Sequence, residues 1–224
     1  MSTNSRTRVW DLPVRAFHWC LVLGVGVSLL GVGVSLYTGL EASEQSMSIH
    51  LVSGQVNLAL VLFRLAWGFI GGPHTRFGAF LRGPEAALRN LQDVLGRVFR
   101  PYTGHTPAGG WMIALMLMVI GAEAATGLFA EDDVDIAGPL NHLVTTRVAD
   151  ALTEIHELLY PVTITLICVH VLAIVAYRFI GKQRLVGAMI HGYKRGIGAA
   201  DAPLLAARGL AVAAIVGTIV YMAL

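Results

Sequence analysis

Long runs without charge dominate the chain. Between Arg15 and Glu41 lie 25 residues free of Asp, Glu, Lys and Arg, between Glu44 and Arg64 another 19, between Arg100 and Glu123 a further 22, and between Glu157 and Arg178 20. Runs of roughly 20 residues are what a helix needs to cross the hydrocarbon core of a bilayer. A fifth run of 16 residues follows Arg208 and reaches Leu224. It makes about 24 Å of helix at the usual rise per residue, and Ala202 to Ala207 extend it on the N-terminal side. The pattern predicts helices over about 17–39, 48–70, 108–130, 155–178 and 204–224, in one membrane domain covering 1–224.

Two shorter stretches have helical periodicity of a different kind. From Pro84 to Phe99, Leu88, Leu91, Leu95 and Val98 fall on one stripe, with Pro84 suited to a first helical turn. Such a helix lies along a membrane surface. From Pro139 a second amphipathic stretch carries Leu140, Leu143, Val144 and Leu152, placed to cover the outer end of the bundle. The first span is rich in glycine (Gly24, Gly26, Gly31, Gly33), which fits both close helix packing and the approach of a bulky cofactor.

Composition sharpens this. The chain is 55% hydrophobic with a mean hydropathy of +0.67 and only 13% charged, against about 25% charged residues in soluble domains. That excludes an ordinary cytosolic enzyme and predicts an all-α integral membrane protein. The charges also sort by segment. Arg6, Arg8 and Arg15 precede the first span; Arg76, Arg82, Arg89, Arg97 and Arg100 separate the second and third; Arg178, Lys182, Arg184, Lys194, Arg195 and Arg208 separate the fourth and fifth. The other connections carry Glu41, Glu44, Glu131, Asp132, Asp133, Asp135, Asp150 and Glu154, with Arg147 the basic exception. Basic loops stay cytoplasmic, so the N-terminus is expected inside and the C-terminus outside if the fifth helix spans. A signal peptide is the alternative for the first run, but the run is too long for a typical signal core and no convincing small-x-small site follows. Cys20 and Cys168 fall inside the predicted spans and read as buried apolar residues.

Four of the eight histidines lie inside or at the ends of the spans: His18, His50, His156 and His170. An ionisable residue at that depth needs a partner. His156 and His170 are 14 positions apart, 40° short of four full turns, so they share a face about 21 Å apart along the axis. His18 begins the first span on the inner side and His50 the second on the outer. By depth, His18 pairs with His170 and His50 with His156. Two imidazole pairs facing across a bundle are what two bis-histidine haems require. Zinc is poorly served by two histidines without thiolate or carboxylate, and the absence of CxxCH excludes covalent haem attachment. His74, His105 and His191 on the inner side and His142 on the outer read as interfacial or hydrogen-bonding residues. Arg15 and Arg64 sit near the inner pair, suited to haem propionates or to snorkelling toward lipid phosphates. Glu123, deep in the third span, is open to two readings: acceptor of a quinol proton, or a hydrogen-bonded neutral acid.

The runs VWDLPVRAFHW at Val9–Trp19, FRLAWGFIGGPHTRF at Phe63–Phe77 and YTGHTPAGG at Tyr102–Gly110, with IHELLYP, His170 and AMIHGYKR, resemble the bacterial cytochrome b561 family, which includes the b-type cytochrome subunits of nickel–iron hydrogenases. The resemblance covers about residues 8–196. It implies a four-helix core holding two b haems, with ligands falling on His18, His50, His156 and His170, plus a fifth C-terminal helix as in the hydrogenase-type members. The chain contains no nucleotide-binding glycine loop, no nucleophile with a base and no thiolate cluster, and nothing in it points to nucleic acid. The function expected is electron transfer in the bacterial inner membrane, between ubiquinone or menaquinone and a periplasmic carrier such as a cationic cytochrome c. The alternatives are a superoxide:quinone oxidoreductase and the anchor subunit of a hydrogenase-like complex.

Overall fold

In a computed structural model, residues 6–38, 44–131, 136–195 and 205–224 are described, with side chains omitted for 31–38 and for residue 195. Eight α-helices lie among them: α1 (Leu12–Thr38), α2 (Glu44–Ile70), α3 (Phe77–Phe80), α4 (Pro84–Leu95), α5 (Pro107–Gly127), α6 (Thr146–Phe179), α7 (Leu185–His191) and α8 (Ala206–Ala223). Five of them, α1, α2, α5, α6 and α8, are long and apolar enough to cross a membrane. The protein is an all-α, multi-pass membrane protein.

Two helices begin well ahead of their uncharged runs. Helix α1 starts at Leu12 because Asp11 caps it, its Oδ1 accepting the N–H of Val14 at 2.9 Å. Helix α6 starts at Thr146, just after a single turn of 3-10 helix at Asn141–Leu143. The amphipathic stretch from Pro139 therefore divides between that turn and the first turns of α6. Helix α4 begins with Pro84 in its first turn and leaves Leu88, Leu91 and Leu95 exposed. An apolar stripe without a protein partner is what a helix lying on a membrane surface presents.

Burial is inverted relative to a water-soluble protein. Leu23, Leu30, Met118, Leu158 and Leu172 point outward from their spans, whereas Asp11, Ser53, Asn57, Arg64, Thr75 and Thr163 are buried. Lipid tails accept leucine as readily as a core does, and polar groups in hydrocarbon must find partners within the protein. The two cysteines follow the same rule. Read from sequence as buried, Cys20 and Cys168 are free thiols on exposed faces of α1 and α6, because within a span the outer face is itself apolar.

The chain divides into two compact units. The first comprises residues 1–16, 64–116 and 165–213, the second residues 17–63, 117–164 and 214–224. The division sorts the charges: every Lys and Arg except Arg147 falls in the first, and ten of the fourteen Asp and Glu in the second.

In the first unit the N-terminal segment is fastened at several points. Strand β1 (Arg6–Arg8) pairs antiparallel with β2 (Tyr193–Arg195), and Val9 N–H donates to the Gly192 carbonyl at 2.8 Å. Gly192 takes a φ of 89°, a left-handed value that glycine adopts without strain and that ends α7. Asp11, fully buried, accepts from Trp67 Nε1, Gly72 N–H and Thr75 Oγ1 through Oδ2 at 3.1–3.2 Å. Gly209 in α8 lies against Pro13, where a Cβ would come within 2.3 Å of the proline ring.

In the second unit α1 and α2 approach closely at Gly24, where a Cβ would fall 2.2 Å from Asn57 Oδ1. Ser28 and Ser53 share a hydrogen bond of 2.6 Å, and Asn57 Nδ2 donates to Ser28 Oγ at 3.2 Å. Small residues thus bring the backbones together and hydroxyls join them, the usual means of association in lipid.

Candidate functional site

Two histidines meet in the second unit. His50 stands in the second turn of α2 and His156 in the third turn of α6, and their ring centroids are 6.0 Å apart with the planes nearly perpendicular at 85°. Each ring is fixed by its Nδ1. His50 Nδ1 donates to the Ser28 carbonyl at 3.2 Å and His156 Nδ1 to the Glu123 carbonyl at 2.9 Å. Thr126 Oγ1 lies 3.3 Å from the same His156 nitrogen and donates to the Ala122 carbonyl at 2.9 Å.

These bonds set the tautomer. An Nδ1 that donates to a carbonyl carries the proton, which leaves the Nε2 lone pair of each ring free to bind a metal. Two imidazoles that share a metal through one nitrogen each have ring centres roughly 6 Å apart, a spacing compatible with the 6.0 Å between these rings. Among the described residues no three His, Cys, Asp or Glu side chains converge. The donor set is therefore a pair of imidazoles, which suits a metal whose other ligands come from a macrocycle.

The surroundings leave space at the same place. Gly54 stands one turn along α2 from His50, and a Cβ there would meet nothing within 4 Å. Gly127, at the end of α5, lies under the His156 ring, where a Cβ would come within 2.9 Å of Cε1. A cavity of about 50 Å³ adjoins the rings, its wall including Ser28, Asn57, Glu123 and Thr163. The Glu123 carboxylate accepts a short hydrogen bond from the Thr163 hydroxyl, and Thr163 is 2% exposed. Glu123 thus serves the site twice, through its carbonyl on His156 and through a side chain anchored to α6.

The other candidates are distributed between the units. His18 is half-buried in the second, edge-on to Trp19 at 4.9 Å. His170, Arg15 and Arg64 belong to the first. Arg64 is 1% exposed, which rules out snorkelling. Its guanidinium lies over the rings of Phe77 and Phe80 at 5.1 and 5.5 Å and donates to the Thr75 carbonyl through Nη2, while the buried Nη1 has no hydrogen-bond partner. Arg15 Nη1 donates to the Ile190 carbonyl at 2.6 Å, and its Nε is also buried without a partner. Two guanidinium groups with spare buried donors suit carboxylates brought in by a ligand.

His105 joins them in the first unit, with a role its sequence position did not reveal. Its ring packs 4.4 Å from Trp10 and 4.8 Å from Phe80, and its Nδ1 is buried without a partner. Burial, reinforced by the charges of Arg64 and Lys194, pushes its pKa down to about 3, so the ring is neutral. Lys194 donates to the carbonyls of Tyr102 and Gly104 at 3.0 and 2.9 Å and lies over the Trp10 ring. Burial pushes its pKa down to about 8. His74 is lowered by burial and by the Lys194 charge. His191 accepts from the Tyr193 N–H at 3.0 Å, and His142 is exposed. Among the acidic residues read as an outer cluster, Glu131 accepts from Asn141 Nδ2 at 3.2 Å, whereas Glu41, Asp132, Asp133 and Asp135 lie outside the described residues.

Five candidate spans with a close pair of histidines inside them define the class: an all-α membrane protein with paired imidazoles within its apolar segments. The family model for prokaryotic cytochrome b561 matches residues 9–192, and the chain belongs to that family. It is a membrane b-type cytochrome that acts in electron transfer. Over 211 residues it is 24% identical to a probable Ni/Fe-hydrogenase B-type cytochrome subunit from Bradyrhizobium diazoefficiens, covering 84% of this chain and 85% of the relative. No solved structure matches.

Proposed function

We propose that this chain holds two b haems in a four-helix core and passes electrons between membrane quinone, ubiquinone or menaquinone, and a periplasmic carrier. In this reading residues 1–224 work as one inner-membrane domain with the N-terminus in the cytoplasm. The observation that carries it is the His50–His156 pair, whose Nδ1 protons are committed to Ser28 and Glu123 carbonyls.

His50 and His156 ligate the outer haem, and His18 and His170 the inner one. Haem supplies a one-electron iron centre whose potential depends on its axial ligands and their hydrogen bonds. The Ser28 and Glu123 carbonyls hold the two outer imidazoles in one tautomer and orientation. Arg15 and Arg64 receive the propionates of the inner haem through their unpartnered buried nitrogens. In this reading Glu123, held by Thr163 beside the cavity, accepts a proton from quinol.

The outer partner is a cationic cytochrome c. Glu131, Asp132, Asp133 and Asp135 lie within five positions, with Glu41 and Glu44 in the neighbouring connection and Arg147 the nearby basic residue. A field of that sign attracts a basic protein and slows superoxide, which needs a positive entrance. Neutralising the four clustered acids should slow electron exchange with a basic cytochrome c by about tenfold or more at low salt, and far less once salt screens the charges. Stopped-flow haem absorbance measures it. An unchanged rate, or oxidation of superoxide near the diffusion limit by the wild type, would transfer the proposal to a superoxide:quinone oxidoreductase. The Bradyrhizobium relative, named as a hydrogenase subunit, supports a further reading, the anchor of a hydrogenase-like complex. Co-purification of a hydrogenase subunit would select it.

A further inference from the structure

The first unit contains a second cavity, unrelated to the histidines. It has a volume of about 410 Å³ and lies between the end of α6 and the start of α7, lined by Ile174, Arg178, Arg184, Leu185, Val186 and Gly187. Two of these are guanidinium groups, three are branched apolar side chains, and none is acidic. We propose that this cleft binds the phosphodiester headgroup of an anionic phospholipid, with Arg178 and Arg184 on the phosphate and an acyl chain along Ile174 and Val186.

The placement in α6 specifies the ligand. Ile174 and Arg178 are four residues apart and share a face of the helix, with Arg178 about 6 Å further along the axis. Helix α6 is a candidate membrane span ending at Phe179. Arg178 therefore sits at the end of the apolar segment and Ile174 one turn within it, the spacing between a lipid phosphate and the first carbons of its chains. A soluble phosphate would use the arginines and leave the apolar wall unexplained. An anionic lipid uses both, and basic pockets at the ends of spans are where such headgroups bind.

The turn that returns Arg184 toward α6 is rigidly built. Gly181 packs against Phe99, where a Cβ would fall 2.8 Å from the ring. Gln183 N–H donates to the Tyr177 carbonyl at 2.9 Å, and its Nε2 donates to the Phe99 carbonyl at 3.3 Å. Lys182 takes a left-handed φ of 53° between them. The ion pairs among the described residues are Glu85–Arg89 and Asp93–Arg100, so neither cleft arginine is paired with a described carboxylate. Arg178 lies over the Phe179 ring, 5.9 Å from its centroid, a contact made by the face of the guanidinium and not by its N–H groups.

Native mass spectrometry of the haem-loaded protein in detergent tests the site, with phosphatidylglycerol, phosphatidylcholine or inorganic phosphate added separately. One phosphatidylglycerol should be retained per chain at energies that strip phosphatidylcholine, and inorganic phosphate should not be retained. Arg178→Gln with Arg184→Gln should weaken that retention about tenfold or more. Arg89→Gln, at an exposed arginine paired with Glu85, should leave it unchanged. The haem absorption spectrum checks the fold of each variant, and Arg178→Lys with Arg184→Lys should restore part of the binding if the glutamine pair disturbs it. Equal retention of both lipids, retention of inorganic phosphate alone, or equal loss in Arg89→Gln would overturn the assignment.

Discussion

Asp11 and Trp67 stand 56 positions apart and are joined by the indole N–H, which donates to both carboxylate oxygens at 3.2–3.3 Å. The bond ties the residue capping α1 to the last turn of α2, and the same carboxylate takes the Gly72 N–H and the Thr75 hydroxyl. A buried carboxylate with this many donors organises the first unit. Removing it strands several buried donors, each at a cost of about 1–3 kcal/mol.

Asp11→Ala should therefore destabilise the protein in detergent by about 3 kcal/mol or more, and Asp11→Asn by less, because the amide oxygen still accepts. Thermal unfolding followed by circular dichroism would measure both. A melting temperature unchanged in Asp11→Ala would show that the bonds are not needed.

His105 gives the fold a pH dependence of known sign. Its folded-state pKa of about 3 lies below the ordinary 6.5, so between those values the unfolded chain binds a proton that the folded chain refuses. Its contribution is fully present above about pH 6.5 and is lost as pH falls toward 3. The melting temperature should fall between pH 7.5 and 4.5, and His105→Phe should lose less over that interval than the wild type. Parallel curves for the two proteins would contradict the assignment.

Topology is tested at the C-terminus. Helix α8 covers Ala206–Ala223, and the basic segment before it holds Arg178, Lys182, Arg184, Lys194 and Arg195, a charge excess that by the positive-inside rule is expected on the cytoplasmic side. A reporter that is active only in the periplasm should be active when fused after Leu224. Activity of a cytoplasmic reporter at that position would mean that α8 does not cross.

The helices are legible because charge spacing is a one-dimensional property: Arg15, Glu44, Arg64, Arg100, Glu123, Glu157 and Arg178 bracket the uncharged runs directly. The depth of His50 and His156 is legible for the same reason. Their ring-to-ring placement and the carbonyls facing each Nδ1 are not, since these depend on how α2, α5 and α6 are rotated about their axes. Asp11 is invisible as a hub, because its donors come from Trp67, Gly72 and Thr75, far along the chain. Arg64 reads equally as a partner for haem propionates or as a snorkelling residue until Phe77 and Phe80 are seen to pack on its guanidinium. Cys20 and Cys168 mislead because the rule that thiols are buried presumes water outside.

The most direct measurement is the haem content of purified single variants by pyridine haemochrome assay, with the low-spin absorption bands recorded alongside. Wild type should contain two b haems per chain. His50→Ala and His156→Ala should each retain one and lose the same one, since an iron deprived of an axial imidazole loses most of its binding and its low-spin character. His18→Ala and His170→Ala should each lose the other. Two low-spin haems retained in His156→Ala or in His170→Ala would contradict the ligand assignment.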